Sequence, residues 1–233
     1  MGHKIACFLY GSQNYNLATP ESDNDYKWIE FPSAEELFKE KTLNCQVSEN
    51  YNVWDVRNFL KYLMKANPNA LELLFSIKQD YFDKNFEELL NYIRPRIGSV
   101  IRKNWDNFSR ALSGIAWNSL LRNQTTPKTV ARLTYFWLLW KSLGDNKIYG
   151  VGTNGEMTEE TWRDSKREWP HKIRELNTND PNTKKELEEQ VIFIGHDWFP
   201  DNWYINPQPH DDEIYEKIQQ KVLNYFEVSL TCC

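Results

Sequence analysis

The amino-acid sequence predicts an α+β protein, in which a small mixed β-sheet with helices is followed by a mainly α-helical C-terminal half. Two segments near the start, residues 4–10 and 23–31, have the composition and alternation of strands. Beyond about residue 85, most of the periodic sequence repeats its apolar residues at helical spacing. We therefore expect a sheet-containing core over residues 1–85 and a helical domain over residues 86–233 packed on it.

Composition fits a globular protein and restricts its partners. The chain has 233 residues, of which 40% are hydrophobic and 15% aromatic, enough for a core without disulfides. Its net charge of -5 argues against a large basic surface for duplex DNA, because cationic side chains dominate binding to phosphates. The four cysteines lack the spacing of a zinc site. Without a signal sequence or an apolar run that spans a bilayer, we expect a cytoplasmic protein with no membrane partner.

The predicted strands come first along the chain. Residues 4–10 are apolar or aromatic apart from Lys4 and stop at Gly11, as expected of a buried strand that enters a tight turn. Residues 23–31 alternate polar and apolar side chains until Pro32 ends the strand. A helix is predicted over residues 33–42, and a third, less regular strand over residues 45–54.

Helical signals begin at Asp55, which is suited to cap a helix carrying an apolar face. Asn67 and Pro68 start a second helix, with the asparagine as cap and the proline at the first helical position. Further helices are predicted over residues 101–115, 130–140 and 158–190. A short strand is predicted over residues 191–194 and a closing helix over residues 214–225.

The residues that suggest chemistry lie between the first two strands. Gly11 and Ser12 end the first strand, and Asp23 and Asp25 begin the second. Residues two apart on a strand face the same way, so the two aspartates would present neighbouring carboxylates. Such a pair can bind magnesium together with phosphate oxygens, while a glycine lets the backbone approach a phosphate. Asp-x-Asp pairs also occur in turns and solvated strands, but the preceding Gly-Ser turn favours the metal site.

At these residues the sequence resembles the nucleotidyltransferase superfamily typified by DNA polymerase beta, whose signature is Gly-Ser, a loop and Asp-x-Asp. Two segments, YGSQNYNLATPESDNDYKWI and WDVRNFLKYLMKANPNALELL, resemble the predicted nucleotidyltransferases that include the RNA-ligase-associated polynucleotide enzymes. The resemblance covers about the first 80 residues. It implies that residues 1–85 form a catalytic nucleotidyltransferase palm and that the substrate is an NTP bound with Mg²⁺ or Mn²⁺.

The resemblance also assigns roles to individual residues. Gly11, Ser12 and Ser22 would bind the nucleotide, and Asp23 and Asp25 would be the catalytic, metal-binding pair. Asn67 and Glu72 would support the site. The activity implied is transfer of a nucleoside monophosphate to a hydroxyl of an RNA end, a tRNA or a protein.

One departure from the family concerns the third carboxylate, which normally comes from a later strand and helps to activate the attacking hydroxyl. Asn50 stands at that position, with Glu49 beside it and Asp55 and Glu72 downstream. Loss of the third carboxylate would slow the transfer step and leave nucleotide binding largely intact. A nucleotide-binding regulatory or inhibitory protein is therefore the alternative, ahead of a metal-dependent nuclease, which would not need the Gly-Ser turn.

Two cations in the helical half are further candidates. Lys128 and Arg132 are four residues apart in a predicted helix and so share one face. They could contact the triphosphate or a nucleic-acid backbone, although a solvated helix face explains the pair as well.

Overall fold

The structure is a computed structural model. Its described part is a five-stranded mixed sheet with helices packed on it. The described residues are 2–15, 18, 20–33, 35–36, 44–48, 51–122, 126, 128–129, 132–133, 136, 185 and 208–231.

The sheet mixes parallel and antiparallel pairs. In the order β3-β4-β2-β1-β5, β2 and β4 run parallel, and the other neighbours are antiparallel. The strands are β1 His3–Tyr10, β2 Asp25–Phe31, β3 Asn44–Ser48, β4 Tyr51–Asp55 and β5 Gln79–Tyr81.

Helices follow β4 and make up most of the described C-terminal half, so the predicted α+β class is confirmed. They are α1 Val56–Leu63, α2 Pro68–Leu74, α3 Lys84–Ile93, α4 Ile97–Lys103, α5 Trp105–Leu121 and α6 Asp211–Thr231, with 3-10 turns at Gln13–Tyr15 and Arg94–Arg96.

Both predicted helix caps are confirmed. Asp55 accepts a hydrogen bond from the Arg57 backbone N–H at the start of α1, and Asn67 accepts one from the Asn69 N–H at the start of α2. Pro68 occupies the first turn of α2. Each cap satisfies a backbone donor that the helix itself leaves without a partner.

Several predicted elements have different bounds in the structure. The second strand begins at Asp25 and not at Asp23. The predicted third strand, residues 45–54, is instead the antiparallel pair β3 and β4. The helical period over residues 101–115 is interrupted at Asn104, whose ψ of 31° ends α4 before α5 begins.

A chain of aromatic rings connects the sheet to the closing helix. Phe8 of β1 stacks on Phe59 of α1 at 6.1 Å, Phe59 contacts Phe86 of α3 at 6.0 Å, and Phe86 contacts Tyr225 of α6 at 5.7 Å. All four rings are buried. Large buried rings contribute strongly to the hydrophobic free energy of folding. These four rings therefore stabilise the packing of α6 against the sheet-bearing part.

Several predicted helices and one predicted strand fall mainly on residues that the structure does not describe. The predicted helices at 33–42 and 130–140 lie largely outside the described residues, as do the charged helices at 158–190 and the strand at 191–194. The division of the chain at residue 85 stays a prediction. No helix in the described ranges is both long and apolar enough to cross a membrane.

Candidate functional site

The Gly-Ser segment forms a tight turn at the end of β1, as predicted. Gly11 has a φ of +76°, in the left-handed region that residues with a Cβ rarely adopt. The Asn14 N–H donates a hydrogen bond of 3.2 Å to the Gly11 carbonyl, and a 3-10 turn follows over Gln13–Tyr15. The chain therefore reverses at Gly11, immediately beside the end of the strand.

The carboxylate of Asp25 lies against this turn. Asp25 begins β2 as the register partner of Tyr10, the last residue of β1. A Cβ placed on Gly11 would lie 2.0 Å from Asp25 Oδ2 and 2.9 Å from its Cγ. Glycine is thus required twice at this position, by its backbone conformation and by the neighbouring carboxylate.

The turn is anchored from the other side by the segment that leads into β5. Asn14 is 1% exposed, and its Oδ1 accepts a hydrogen bond of 3.1 Å from the Ile77 N–H. The Ser76 hydroxyl donates to the Leu9 carbonyl at 2.5 Å. The burial of Asn14 cannot be predicted from the sequence, because an asparagine within a polar loop carries no signal of burial.

Asp23, Ser12 and Ser22 lie outside the strands β1 and β2, so the strand register does not position them. Asp23 is exposed and precedes β2, so strand alternation does not set the direction of its side chain. Ser12 follows Gly11 in the turn, and Ser22 lies in the segment before β2, both partly exposed. The structure therefore brings Gly11 and Asp25 together directly, with Asp23 two residues away along the chain.

A lysine that the sequence analysis missed lies on the same sheet face as Asp25. Lys27 Nζ is 4.9 Å from the ring centre of Tyr10 and 4.2 Å from that of Trp54. Burial and, to a lesser extent, the charge of Arg132 together lower the pKa of Lys27 to about 8. Within the described ranges, no carboxylate forms an ion pair with this ammonium group.

Tyr10 borders the same region. Burial raises the pKa of its hydroxyl, and the negative charge of Asp25 raises it further. Both effects disfavour a second negative charge beside Asp25, so the phenol stays protonated at neutral pH and is available as a hydrogen-bond donor.

Of the two predicted cations in the helical half, one reaches this face. Arg132 Nε lies 2.7 Å from Glu72 Oε1, and Arg132 Nη2 donates to Asn69 Oδ1 at 2.5 Å. Arg132 and Glu72 are 19% and 14% exposed at their side chains. Lys128 is exposed. The structure thus joins Arg132 to Glu72 on α2, and no described carboxylate is paired with Lys128.

Asp55 lies away from this region. Its register partner is Glu30, five positions along β2 from Asp25, which corresponds to about 17 Å at the rise of a strand. Its carboxylate is fully buried, and the Arg57 guanidinium and N–H donate to it. Asp55 is therefore a structural cap and not a replacement for the missing third carboxylate. Glu49 and Asn50 lie outside the described residues, and Asn67 caps α2.

The carboxylate oxygens near the Gly11 turn fit a metal ion that is shared with a substrate. In the described parts of the chain, no three His, Cys, Asp or Glu side chains cluster into a site for a metal. Asp25 beside the Gly11 turn, with Asp23 nearby in the chain, offers hard carboxylate oxygens of the kind that magnesium prefers. Magnesium commonly completes such a set with phosphate oxygens and water, so these residues fit a metal that arrives with a nucleotide.

Comparison with known proteins adds no relative. No protein-family model matches the chain, and neither a curated protein nor a solved structure matches it. The resemblance to nucleotidyltransferases therefore depends on the Gly-Ser and Asp-x-Asp segments and stays a prediction.

Proposed function

We propose that the chain is a magnesium-dependent nucleotidyltransferase, which transfers a nucleoside monophosphate from an NTP to an acceptor hydroxyl and releases pyrophosphate. The observation that carries the proposal is the contact between the Gly11 turn and the Asp25 carboxylate. Fourteen positions separate these residues in sequence, from 11 to 25. Their contact is the geometry that the Gly-Ser and Asp-x-Asp pattern requires.

Each residue then has a defined task. The backbone N–H groups at Gly11 and Ser12 bind phosphate oxygens, because a positive-φ turn lets successive amides point toward an anion. Asp23 and Asp25 would hold the magnesium, which would neutralise negative charge on the phosphates when bound. The protonated Tyr10 hydroxyl would offer a hydrogen-bond donor to the substrate at the edge of this site. The cytoplasm is the expected location of this activity, since NTPs are available there.

A second candidate is a nucleotide-binding protein that regulates or inhibits a partner and has weakened catalysis. Asn50 motivates it, since the family resemblance places the third carboxylate there. Of the downstream acids, Asp55 caps α1 far along the sheet and Glu72 is paired with Arg132. Neither carboxylate is free to replace the missing one, so binding without efficient transfer is the expected behaviour of this candidate.

Label transfer from NTPs labelled at the α-phosphate tests the first proposal. RNA ends, tRNA and candidate protein acceptors are each incubated with the wild type, Asp25→Asn and a matched control, Asp80→Asn. Asp80 is also a strand carboxylate, but it is exposed on β5 and pairs in register with Cys7, whose side chain lies on the opposite sheet face from Asp25. We expect transfer by the wild type and by Asp80→Asn, and none by Asp25→Asn. Equal labelling by Asp25→Asn would overturn the assignment.

Calorimetry separates the two candidates. Magnesium-dependent NTP binding with no transfer to any acceptor would favour the regulatory protein. In that case Asn50→Asp should restore transfer if the lost carboxylate is the cause. Lack of any gain by Asn50→Asp would weaken the explanation based on residue 50.

A further inference from the structure

We propose that Lys27 is a nucleotide-binding residue, whose ammonium group contacts a phosphate of the NTP beside Asp25. The inference rests on the proposed function, because it adds a residue to the same site. The Gly-Ser and Asp-x-Asp pattern does not include Lys27.

The position of Lys27 on the sheet is the first argument. Asp25 and Lys27 are two residues apart on β2, so their side chains leave the same face about 7 Å apart at the backbone. Lys27 pairs in register with Phe8, whose ring packs on α1, and Asp25 pairs with Tyr10 next to the Gly11 turn. A lysine side chain easily spans this spacing. The ammonium group can therefore reach an anion held between the turn and Asp25.

The surroundings of the ammonium group are the second argument. The rings of Tyr10 and Trp54 lie 4.9 and 4.2 Å from it, and ring faces attract a cation without satisfying its N–H donors. Trp54 is itself held in place by Tyr62 of α1 at 5.7 Å. The two rings thus confine the ammonium group and leave its donors for a ligand.

The charges on this face are the third argument. Arg132 repels Lys27, and the carboxylate on the facing helix, Glu72, is already paired with Arg132 at 2.7 Å. Asp25 is the remaining acid on this face of β2, and it lies against the Gly11 turn. Among the described residues, no anion is paired with this partly buried cation, and such a cation is costly in the free protein. A phosphate group would supply the missing negative charge and oxygen acceptors together.

A simpler explanation is that Lys27 is a structural cation that stabilises the fold through the two rings. The explanations differ in what a Lys27→Met substitution does. A purely structural lysine would lower the thermal midpoint when replaced and leave the affinity of the folded protein unchanged. A phosphate-binding lysine would weaken nucleotide binding in a protein that remains folded.

Binding of α,β-methylene analogues of ATP, GTP, CTP and UTP to the full chain, with magnesium, tests the proposal by calorimetry. The variants are Lys27→Met, Asp25→Asn and a matched control, Lys78→Met. The Lys78 ammonium also lies over a ring, 5.7 Å from the centre of Tyr26, but Tyr26 faces the other side of β2. We expect a Kd about 10- to 100-fold weaker for Lys27→Met and unchanged for Lys78→Met, the usual range for a hydrogen bond to a charged group.

Competition by inorganic tripolyphosphate identifies the part of the ligand that Lys27 contacts. Lys27→Met should weaken the binding of tripolyphosphate by a factor similar to that for the nucleotide, since Lys27 contacts phosphate and not the base. An unchanged affinity for tripolyphosphate would overturn the proposal.

The failures of the two proposals are distinguishable. If Asp25→Asn abolishes binding while Lys27→Met binds within about threefold of the wild type, the role of Lys27 is refuted and the nucleotidyltransferase site stands. If the wild type binds none of the analogues with magnesium, the proposed function fails and the role of Lys27 fails with it. Circular dichroism checks that Lys27→Met is folded. If it is not, Lys27→Gln takes its place under the same criteria.

Discussion

Replacing Gly11 with alanine is expected to displace Asp25 and separate the two parts of the candidate site. The new Cβ would lie 2.0 Å from Asp25 Oδ2, 2.9 Å from Cγ and 3.1 Å from Cβ. Ordinary contacts between non-bonded carbons are about 3.5–4.0 Å. Rotation of the Asp25 side chain moves Oδ2 but leaves its Cβ in place, so the start of β2 must also shift.

The cost has two components. A φ of +76° is unfavourable by about 1–2 kcal/mol for a residue with a Cβ, and crowding in a packed region costs about 1–3 kcal/mol more. The free energy of unfolding should therefore fall by about 2–5 kcal/mol. For a chain of this length, the thermal midpoint falls by roughly 2–4 °C per kcal/mol.

A double-mutant cycle with Asp25→Ala, measured by urea denaturation, isolates the contact. Asp25→Ala removes Oδ2 and Cγ, so Gly11→Ala in that background should cost little more than the conformational component, with a coupling energy of about 1–3 kcal/mol. Gly114→Ala is the matched control, because a Cβ on this α5 glycine meets nothing within 4 Å. It should stabilise the helix by about 0.5–1 kcal/mol. Equal costs of Gly11→Ala in both backgrounds would refute the contact between the turn and the carboxylate.

The remaining predictions concern the ion pairs of α6 and the anchor of the Gly-Ser turn. In urea denaturation, Arg102→Leu should lower the free energy of unfolding by about 3–5 kcal/mol, because it leaves the buried Asp211 carboxylate without its partner. Lys103→Leu, at the exposed pair with Asp212, should leave the free energy of unfolding nearly unchanged. Burial by itself would raise the pKa of Asp211, but hydrogen bonds, chiefly from Arg102, outweigh it and hold this pKa below its ordinary value. The stabilisation is therefore complete above the unfolded-state pKa near 4 and is lost as the pH falls through the folded-state pKa. Urea titrations from pH 6 to pH 3 should show the wild type converging on Asp211→Asn, and a difference that is constant over this range would contradict the assignment. Asn14→Ala should cost about 1–2 kcal/mol and weaken nucleotide binding, and calorimetry that finds unchanged binding would separate the turn from the ligand site.

The parts of the fold that the sequence predicted are those set by local interactions. Asp55 and Asn67 cap the helices that follow them because their side chains reach backbone N–H groups only two residues away. The turn at Gly11 follows from a glycine directly after an apolar strand. These features require only neighbouring residues, so they are visible in the order of the sequence.

The bounds that the sequence missed are set by pairing between strands. β2 begins at Asp25 because its partner β1 ends at Tyr10, where the chain turns away and leaves Asp23 without a partner in β1. Four polar residues from Ser22 to Asp25 carry no alternation that marks this boundary. Residues 45–54 form two strands because they pair with each other, which local composition does not reveal.

For the candidate site, the Gly-Ser and Asp-x-Asp spacing indicated which residues are candidates to bind a metal and phosphate. The packing of strands and helices set which of these residues meet. It put Asp25 against Gly11, tied Arg132 to Glu72, left Asp55 far along the sheet, and brought Lys27 between two rings beside Asp25. The physical reason is that the chemical type of a side chain is local, whereas its burial and its charged neighbours depend on strands and helices that are distant in the chain.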